Sequence, residues 1–268
     1  MTLIVGWIGC DEKKGGKKPA SLYFGSDSCI SVDKNHRYLY GKKLYACRLH
    51  PEIFAYCGSV SYPMSVLPPL IEQIDADLFF HTEQAAEKVK KIADYLQESC
   101  NSYSALQPNF DFNSQTILYG TKELTTFHVY RLSFISGIVS YQELPLYDYS
   151  TIIAISGSGK DMFTRQKGMP DVGHELYSRE ICHYLSSTIY NSDNYSVGGI
   201  PQIVGIYRGK PTPVSYGFVK EGKRYFYGRE VTKTQQLDGV EWRNQDFERI
   251  DPYTLKLLEG AQAQPFIS

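Results

Sequence analysis

Ser21-Leu22-Tyr23-Phe24-Gly25-Ser26-Asp27-Ser28, followed by Gly41-Lys42-Lys43 and then by Ala55-Tyr56-Cys57-Gly58, is the passage on which the architecture turns. The apolar run at 21–25 reads as a strand ending in a polar Ser-Asp-Ser. A strand-like run at 3–8 precedes it across a Gly/Lys turn, so the two predict a hairpin. Residues 43–48 and 53–57, separated by His50-Pro51, predict a second pair. The chain therefore opens with four strands.

Helical periodicity takes over next. Met64, Leu67, Leu70, Ile71 and Ile74 fall on one face of residues 62–79, with Pro68-Pro69 expected at a helix start or kink. Thr82 is a natural N-cap for residues 83–100, where Ala85, Val89, Ile92 and Leu96 recur at helix spacing. The polar stretch 101–114 breaks that pattern. Strands are predicted again at 116–119, 126–132, 138–141 and 151–155, helices at 160–167 and 176–190, and last strands at 201–207, 214–219 and 224–227. Sheets on either side of helix pairs imply two packed sheets with helices outside. Residues 1–229 read as one domain, and 230–268, polar and weakly patterned, as a tail or peripheral extension.

Composition narrows the field of functions. Hydrophobic residues make up 42% and charged residues 21% of 268, ordinary globular usage that allows a sizeable core. A net charge of −1 gives no bulk electrostatic reason for a nucleic-acid partner. The basic cluster Lys13-Lys14-Gly15-Gly16-Lys17-Lys18 reads as a solvated hairpin tip. No run approaches the length of a membrane span. The six cysteines lack a C-x-x-C pair and the six histidines lack metal spacing, so neither a metal nor a cofactor is assigned. A reducing, cytoplasmic compartment is the expectation.

Four features carry chemistry together. Thr2 follows the initiator, and a small second residue permits methionine excision. A hydroxyl beside a free α-amino group, which titrates at about 8, is a nucleophile with its own base. Asp27 and Lys43 close the second strand and open the third. Ile152-Ile153-Ala154-Ile155-Ser156-Gly157-Ser158-Gly159 is a strand running into a Gly-Ser-Gly turn before a helix. It is not a phosphate loop, because Ala154 stands where that motif needs Gly and Asp161 where it needs Ser or Thr. Ser192-Asp193-Asn194-Tyr195-Ser196-Val197-Gly198-Gly199 follows the last helix. Read locally, it is a turn with side-chain caps.

In order and spacing these residues resemble proteasome β subunits and their bacterial relatives HslV and Anbu. The resemblance implies an α+β fold, a four-layer αββα sandwich of the N-terminal-nucleophile hydrolase type. It implies Thr2 as nucleophile, Lys43 beside its hydroxyl, and Asp27 holding Lys43. Ser158, Asp193 and Ser196 would fix the N-terminus and a water. The backbone N–H groups of Cys57 and Gly58 would meet the oxyanion, and Ile30, Gly41, Ala55 and Ser59 would form a roomy, mostly neutral primary pocket able to take a large apolar side chain. The implied activity is a threonine-type endopeptidase acting on peptides or unfolded protein, in a homo-oligomeric ring or helical stack, with an AAA+ unfoldase as a candidate partner. A non-catalytic subunit of the same assembly and a small-molecule amidase on the same fold are the alternatives. The long first hairpin, residues 101–115 and the tail have no counterpart in the resemblance.

Overall fold

The computed structural model describes residues 2–13, 16–166, 173–232 and 236–261. The first hairpin is longer than its apolar alternation predicts: β1 runs over Ile4–Lys13 and β2 over Gly16–Ser26. Its outer half is held by charge. Asp11 lies opposite Lys18 and Glu12 opposite Lys17, and cross-strand pairs of opposite charge stabilise a ladder. Arg208 adds a two-pronged bond to Asp11 at 2.9 Å. The tip residues 14–15 lie outside the described residues.

The remaining strands are β3 (Ile30–Ser31), β4 (Arg37–Tyr38), β5 (Leu44–Ala46), β6 (Ile53–Cys57), β7 (Thr116–Glu123), β8 (Thr126–Ile135), β9 (Ile138–Glu143), β10 (Thr151–Ser156), β11 (Gln202–Tyr207), β12 (Val214–Lys220), β13 (Lys223–Phe226), β14 (Arg229–Glu230) and β15 (Glu241–Arg243). One sheet has the order β10-β1-β2-β11-β12-β13-β14, the other β5-β6-β7-β8-β9, and β3 pairs with β4. Among the described residues every pairing is antiparallel except β12 with β15. The architecture is thus mixed α/β, with mostly antiparallel sheets and few helices.

Side-chain alternation sends each strand into two cores. On β6, Ile53, Ala55 and Cys57 join Ile4, Leu22, Phe24 and Val204 of the larger sheet. Phe54 and Tyr56 face the other way, toward helices α1 (Ser61–Asp75) and α2 (Ala85–Leu106). A third cluster packs Val5, Trp7 and Ile203 against Ile181, Leu185 and Ile189 of α4 (Ser178–Tyr190). Each fully buried aliphatic side chain contributes roughly 1.5–3 kcal/mol. Such faces are what fix the strand register, since a one-residue slip would turn them to solvent.

Three helix expectations change. Pro68 and Pro69 lie inside α1 rather than at its start. The carbonyls of Met64 and Ser65, which lose their amide partners, belong to exposed residues where water can serve them. Helix α2 begins at Ala85, whose N–H donates to the remote Glu123 Oε2 at 3.0 Å, while Thr82 Oγ1 accepts from Gln84 N. It continues to Leu106 because Tyr103 packs on Tyr62 and Phe110, with ring centroids 5.4 and 5.1 Å apart. Helix α3 is short, Lys160–Thr164, and the predicted end at 167 lies outside the described residues. The proposed boundary at 229/230 falls within β14. Beyond it, β15 joins the larger sheet and Leu237, Trp242 and Ile250 form a small core of their own. No helix among the described residues is long and apolar enough to cross a membrane.

Candidate functional site

The start of β1 is held from both sides, which places Thr2. Ile4 lies opposite Ser26 of β2 and opposite Ser156 of β10, so the chain end enters between the termini of those two strands. Leu3 O accepts from Ser26 Oγ at 2.9 Å and Thr2 O accepts from Gly159 N at 3.2 Å. Gly157, with φ of +98°, passes so close that a Cβ there would lie 2.0 Å from Thr2 O. Only glycine fits that position.

Asp27 is the hub of the site. Its Oδ1 accepts from Lys43 Nζ at 2.8 Å and Leu3 N at 2.9 Å. Its Oδ2 accepts from Cys29 N at 3.0 Å and Gly198 N at 3.3 Å. Asp27 and Lys43 have no solvent exposure, and neither does Thr2. A buried ion pair persists only when well hydrogen-bonded, and four donors meet this carboxylate. Gln202 positions the lysine's backbone, its Oε1 accepting from Lys43 N at 3.1 Å while its Nε2 donates to Gly41 O. Nothing in the sequence marks Gln202, a lone polar residue opening a strand.

Across from this pair lies a chain of hydroxyls with a defined direction. Ser196 Oγ donates to Asn194 Oδ1 at 2.7 Å, so it accepts from Ser158 Oγ, also at 2.7 Å. Ser158 Oγ in turn accepts from Thr2 N at 3.2 Å. The proton order is therefore Thr2 N–H to Ser158 to Ser196 to Asn194. Ser158 is exposed, so the network opens to solvent there.

Thus Thr2, Asp27, Lys43, Ser158 and Ser196 come together, but Asp193 does not join them. Its side chain is exposed, and Asn194 makes the contacts that the sequence pattern suggested for it. The reason is local: Asn194 Oδ1 also accepts from Ser196 N at 2.9 Å, a side-chain turn that pins Asn194 inward.

Cys57 ends β6 opposite Thr116, and Gly58 follows it with φ of +113°. A Cβ on Gly58 would lie 2.4 Å from Ser114 O. Burial pushes the Cys57 thiol up to about 11, which keeps it protonated and a poor nucleophile. The four residues expected around a primary pocket lie in different settings. Ile30 fills the space above Gly41, whose Cβ would lie 2.4 Å from Ile30 Cδ1. Ala55 is sealed in the core between the sheets. Ser59 instead lines a groove of about 510 Å³ with residues 107–111 and Ser114. Among the described residues, no group of three or more His, Cys, Asp or Glu side chains is placed to hold a metal ion.

No protein-family model matches the chain, and no curated protein matches its sequence. Solved structures do match its fold. Anbu (ancestral β-subunit) from Yersinia bercovieri superposes with a TM-score of 0.54 at 14% identity, covering 79% of this chain and 86% of that one. The Anbu complex from Pseudomonas aeruginosa, described as a helical assembly, gives 0.54 at 15% identity over 83% and 86%. A Gly-1 mutant of Anbu from Hyphomicrobium sp. strain MC1 gives 0.53 at 14% identity over 80% and 87%. At these identities the likeness is one of fold.

Proposed function

We propose that the chain is an N-terminal threonine hydrolase that cleaves peptide bonds once Met1 is removed. The observation that carries this reading is that Thr2 N donates into the Ser158–Ser196–Asn194 hydroxyl chain while the buried Lys43–Asp27 pair holds the next residue through Leu3 N. Met1 itself lies outside the described residues. With a free amine, Thr2 Oγ attacks the carbonyl while its own nitrogen takes the proton, directly or through water. The Lys43 ammonium favours the developing alkoxide. Ser158 and Ser196 hold the amine, and the N–H groups of Cys57 and Gly58 serve the tetrahedral oxyanion, each such donor lowering the barrier by about 3–4 kcal/mol.

The three core clusters, one between the sheets and one under each helical layer, support the αββα sandwich as the finer description of the fold. On that fold a homo-oligomer in the cytoplasm, acting on peptides or unfolded protein with or without an AAA+ unfoldase, is the fitting context. One observation favours a second reading, a structural subunit without activity: Thr2 has no solvent exposure.

Intact mass of the purified protein, combined with hydrolysis of fluorogenic peptides by the parent and Thr2→Ala, separates them. The hydrolase reading expects loss of Met1 and turnover that vanishes in Thr2→Ala. Retention of Met1, or equal turnover by Thr2→Ala, ends it. Turnover of small amides but of no peptide would indicate an amidase.

A further inference from the structure

The face of the smaller sheet that looks toward the larger one is apolar over most of its length. Ala55 on β6, Leu118 on β7, and Phe127 and Val129 on β8 belong to the core between the sheets. Beyond Val129 the character of that face changes. Side chains alternate along a strand, and the β7–β8 register runs without a shift, so the next two residues on this face are Arg131 and Ser133. Arg131 lies opposite Leu118, Ser133 opposite Thr116, and Thr116 opposite Cys57. The face is thus polar at the end beside the candidate site, as it is at the far end, where Lys122 Nζ donates to the carbonyls of Tyr207, Arg208 and Lys210. The built Cβ at Gly157 that would strike Thr2 O lies only 3.4 Å from Cys57 Cβ, which ties this corner to Thr2. The Arg131 charge is close enough to act on the Cys57 thiol, where it opposes the effect of burial.

Arg131 is half-buried, and its Nε is shut off from solvent with no hydrogen-bond partner. Arg243 Nε is orphaned too, but the Arg243 guanidinium meets Glu241, and Arg37, Arg224 and Arg229 give donors to carbonyl or hydroxyl oxygens. Arg48, Arg165, Arg208 and Arg243 each meet a carboxylate of the chain. No such pair is formed by Arg131 among the described residues. A guanidinium presents a planar fork of donors suited to a carboxylate, and a desolvated N–H without an acceptor is costly until one arrives. Lys43, the other charged side chain acting on Cys57, is committed to Asp27, so Arg131 is the cation of this corner that meets no carboxylate among the described residues.

Resting on the hydrolase reading above, we propose that Arg131 binds a carboxylate of the substrate, so that peptides bearing an acidic group near the scissile bond are preferred. The carboxylate belongs either to an Asp or Glu side chain or to the peptide's own C-terminus. Arg131 is then a specificity-determining residue, and the reaction's substrates are acidic peptides.

The test compares kcat/KM for peptide pairs differing only in Asp against Asn, scanned through the positions on both sides of the cleaved bond, each with a free or amidated C-terminus. The parent should favour the acidic member by about tenfold or more, as expected of a charge-assisted hydrogen bond. The preference should fall below about twofold in Arg131→Met and be partly kept by Arg131→Lys, which retains the charge without the fork. Each preference is a ratio within one preparation, so it is insensitive to partial misfolding. Preference confined to the free C-terminus assigns the carboxylate to the chain end; preference that persists in the amides assigns it to a side chain. A parent without acid preference, or an Arg131→Met that keeps it, overturns the proposal while Thr2-dependent turnover leaves the hydrolase reading standing. Fluorescence anisotropy of labelled Asp and Asn peptides on Thr2→Ala reads the same site without catalysis. Arg131-dependent binding in a chain that hydrolyses nothing would keep the carboxylate site and discard the hydrolase; no Arg131-dependent difference in either measurement discards the proposal.

Discussion

Replacing Lys43 with Met removes one member of a pair whose side chains have no solvent exposure. Asp27 would keep its bonds from Leu3 N, Cys29 N and Gly198 N but lose the lysine charge paired with it. Breaking a buried pair from one side costs about 3–5 kcal/mol. For a chain of 268 residues, with each kcal/mol moving the melting point by about 2–4 °C, the loss is roughly 6–20 °C. Asp27→Leu should be worse. It strands the Lys43 ammonium and also three backbone donors, each orphaned N–H adding about 1–3 kcal/mol. Asp27→Asn is damaging for a different reason. Its oxygen can serve Lys43 and Leu3, or Cys29 and Gly198, but its NH2 must then face the other two donors. Urea titrations of parent, both singles and the double variant Lys43→Met with Asp27→Leu give the coupling directly, provided the m-values agree. A Lys43→Met protein that melts within about 2 °C of the parent, or that is less stable than Asp27→Leu, would refute the assignment of Asp27 as hub.

Gly157→Ala places a methyl 2.0 Å from Thr2 O at a φ of +98°, so it should abolish peptide turnover and lower the melting point. Gly209→Ala, with open space and no positive φ, should leave stability within about 0.5 kcal/mol in the same urea titration. Asn194→Ala removes the acceptor for Ser196 N and Oγ and should slow turnover by at least about tenfold, whereas Asp193→Ala, at an exposed side chain, should change it by less than about threefold. Lys88 is buried between Glu52 at 2.9 Å and Glu83 at 3.1 Å. Burial alone would depress its pKa, but the two carboxylates outweigh that and hold it above the ordinary lysine value. The folded state then keeps this proton after the unfolded chain releases it. The contribution is complete below about pH 10.4 and is lost as pH rises through the folded-state value. Buried tyrosines such as Tyr23 and Tyr216 act in the same direction, since burial raises them too. Urea midpoints followed from about pH 8 to about pH 11.5 should therefore fall in both proteins, and less steeply in Lys88→Met than in the parent.

The element order was legible where apolar burial writes a pattern: β6, buried throughout, reads as a continuous apolar run, and α2, buried on one face, reads at helix spacing. It failed where something other than apolar burial holds an element. The outer half of the first hairpin rests on Asp11, Glu12, Lys17 and Lys18, whose alternation carries no hydrophobic signal. The last turns of α2 rest on a single aromatic, Tyr103, among serines. The polar segment after position 230 holds a core of Leu237, Trp242 and Ile250, spaced 5 and 8 residues apart, which matches neither period.

The site divides along the same line. Asp27, Lys43, Ser158 and Ser196 sit at strand ends or turns that the pattern located, and the fold brings those ends together around Thr2. What the pattern could not supply is the direction a side chain takes within a turn. Asn194 turns inward because its carbonyl closes on Ser196 N two residues later, and Asp193, one position earlier, is carried outward by the same turn. Gln202 meets Lys43 N, 159 residues away, through a side-chain bond between the sheets, and Arg131 shares a face with Cys57, 74 residues away, through the β6–β7–β8 register, separations at which no local motif operates. Thr2 is held by residues 157–159, its neighbour Leu3 by residues 26–27, and both, through them, by 194–198, so no single segment positions it. A threonine near a chain end becomes a candidate nucleophile only when these distant turns close on it, and its chemistry is a property of the tertiary structure.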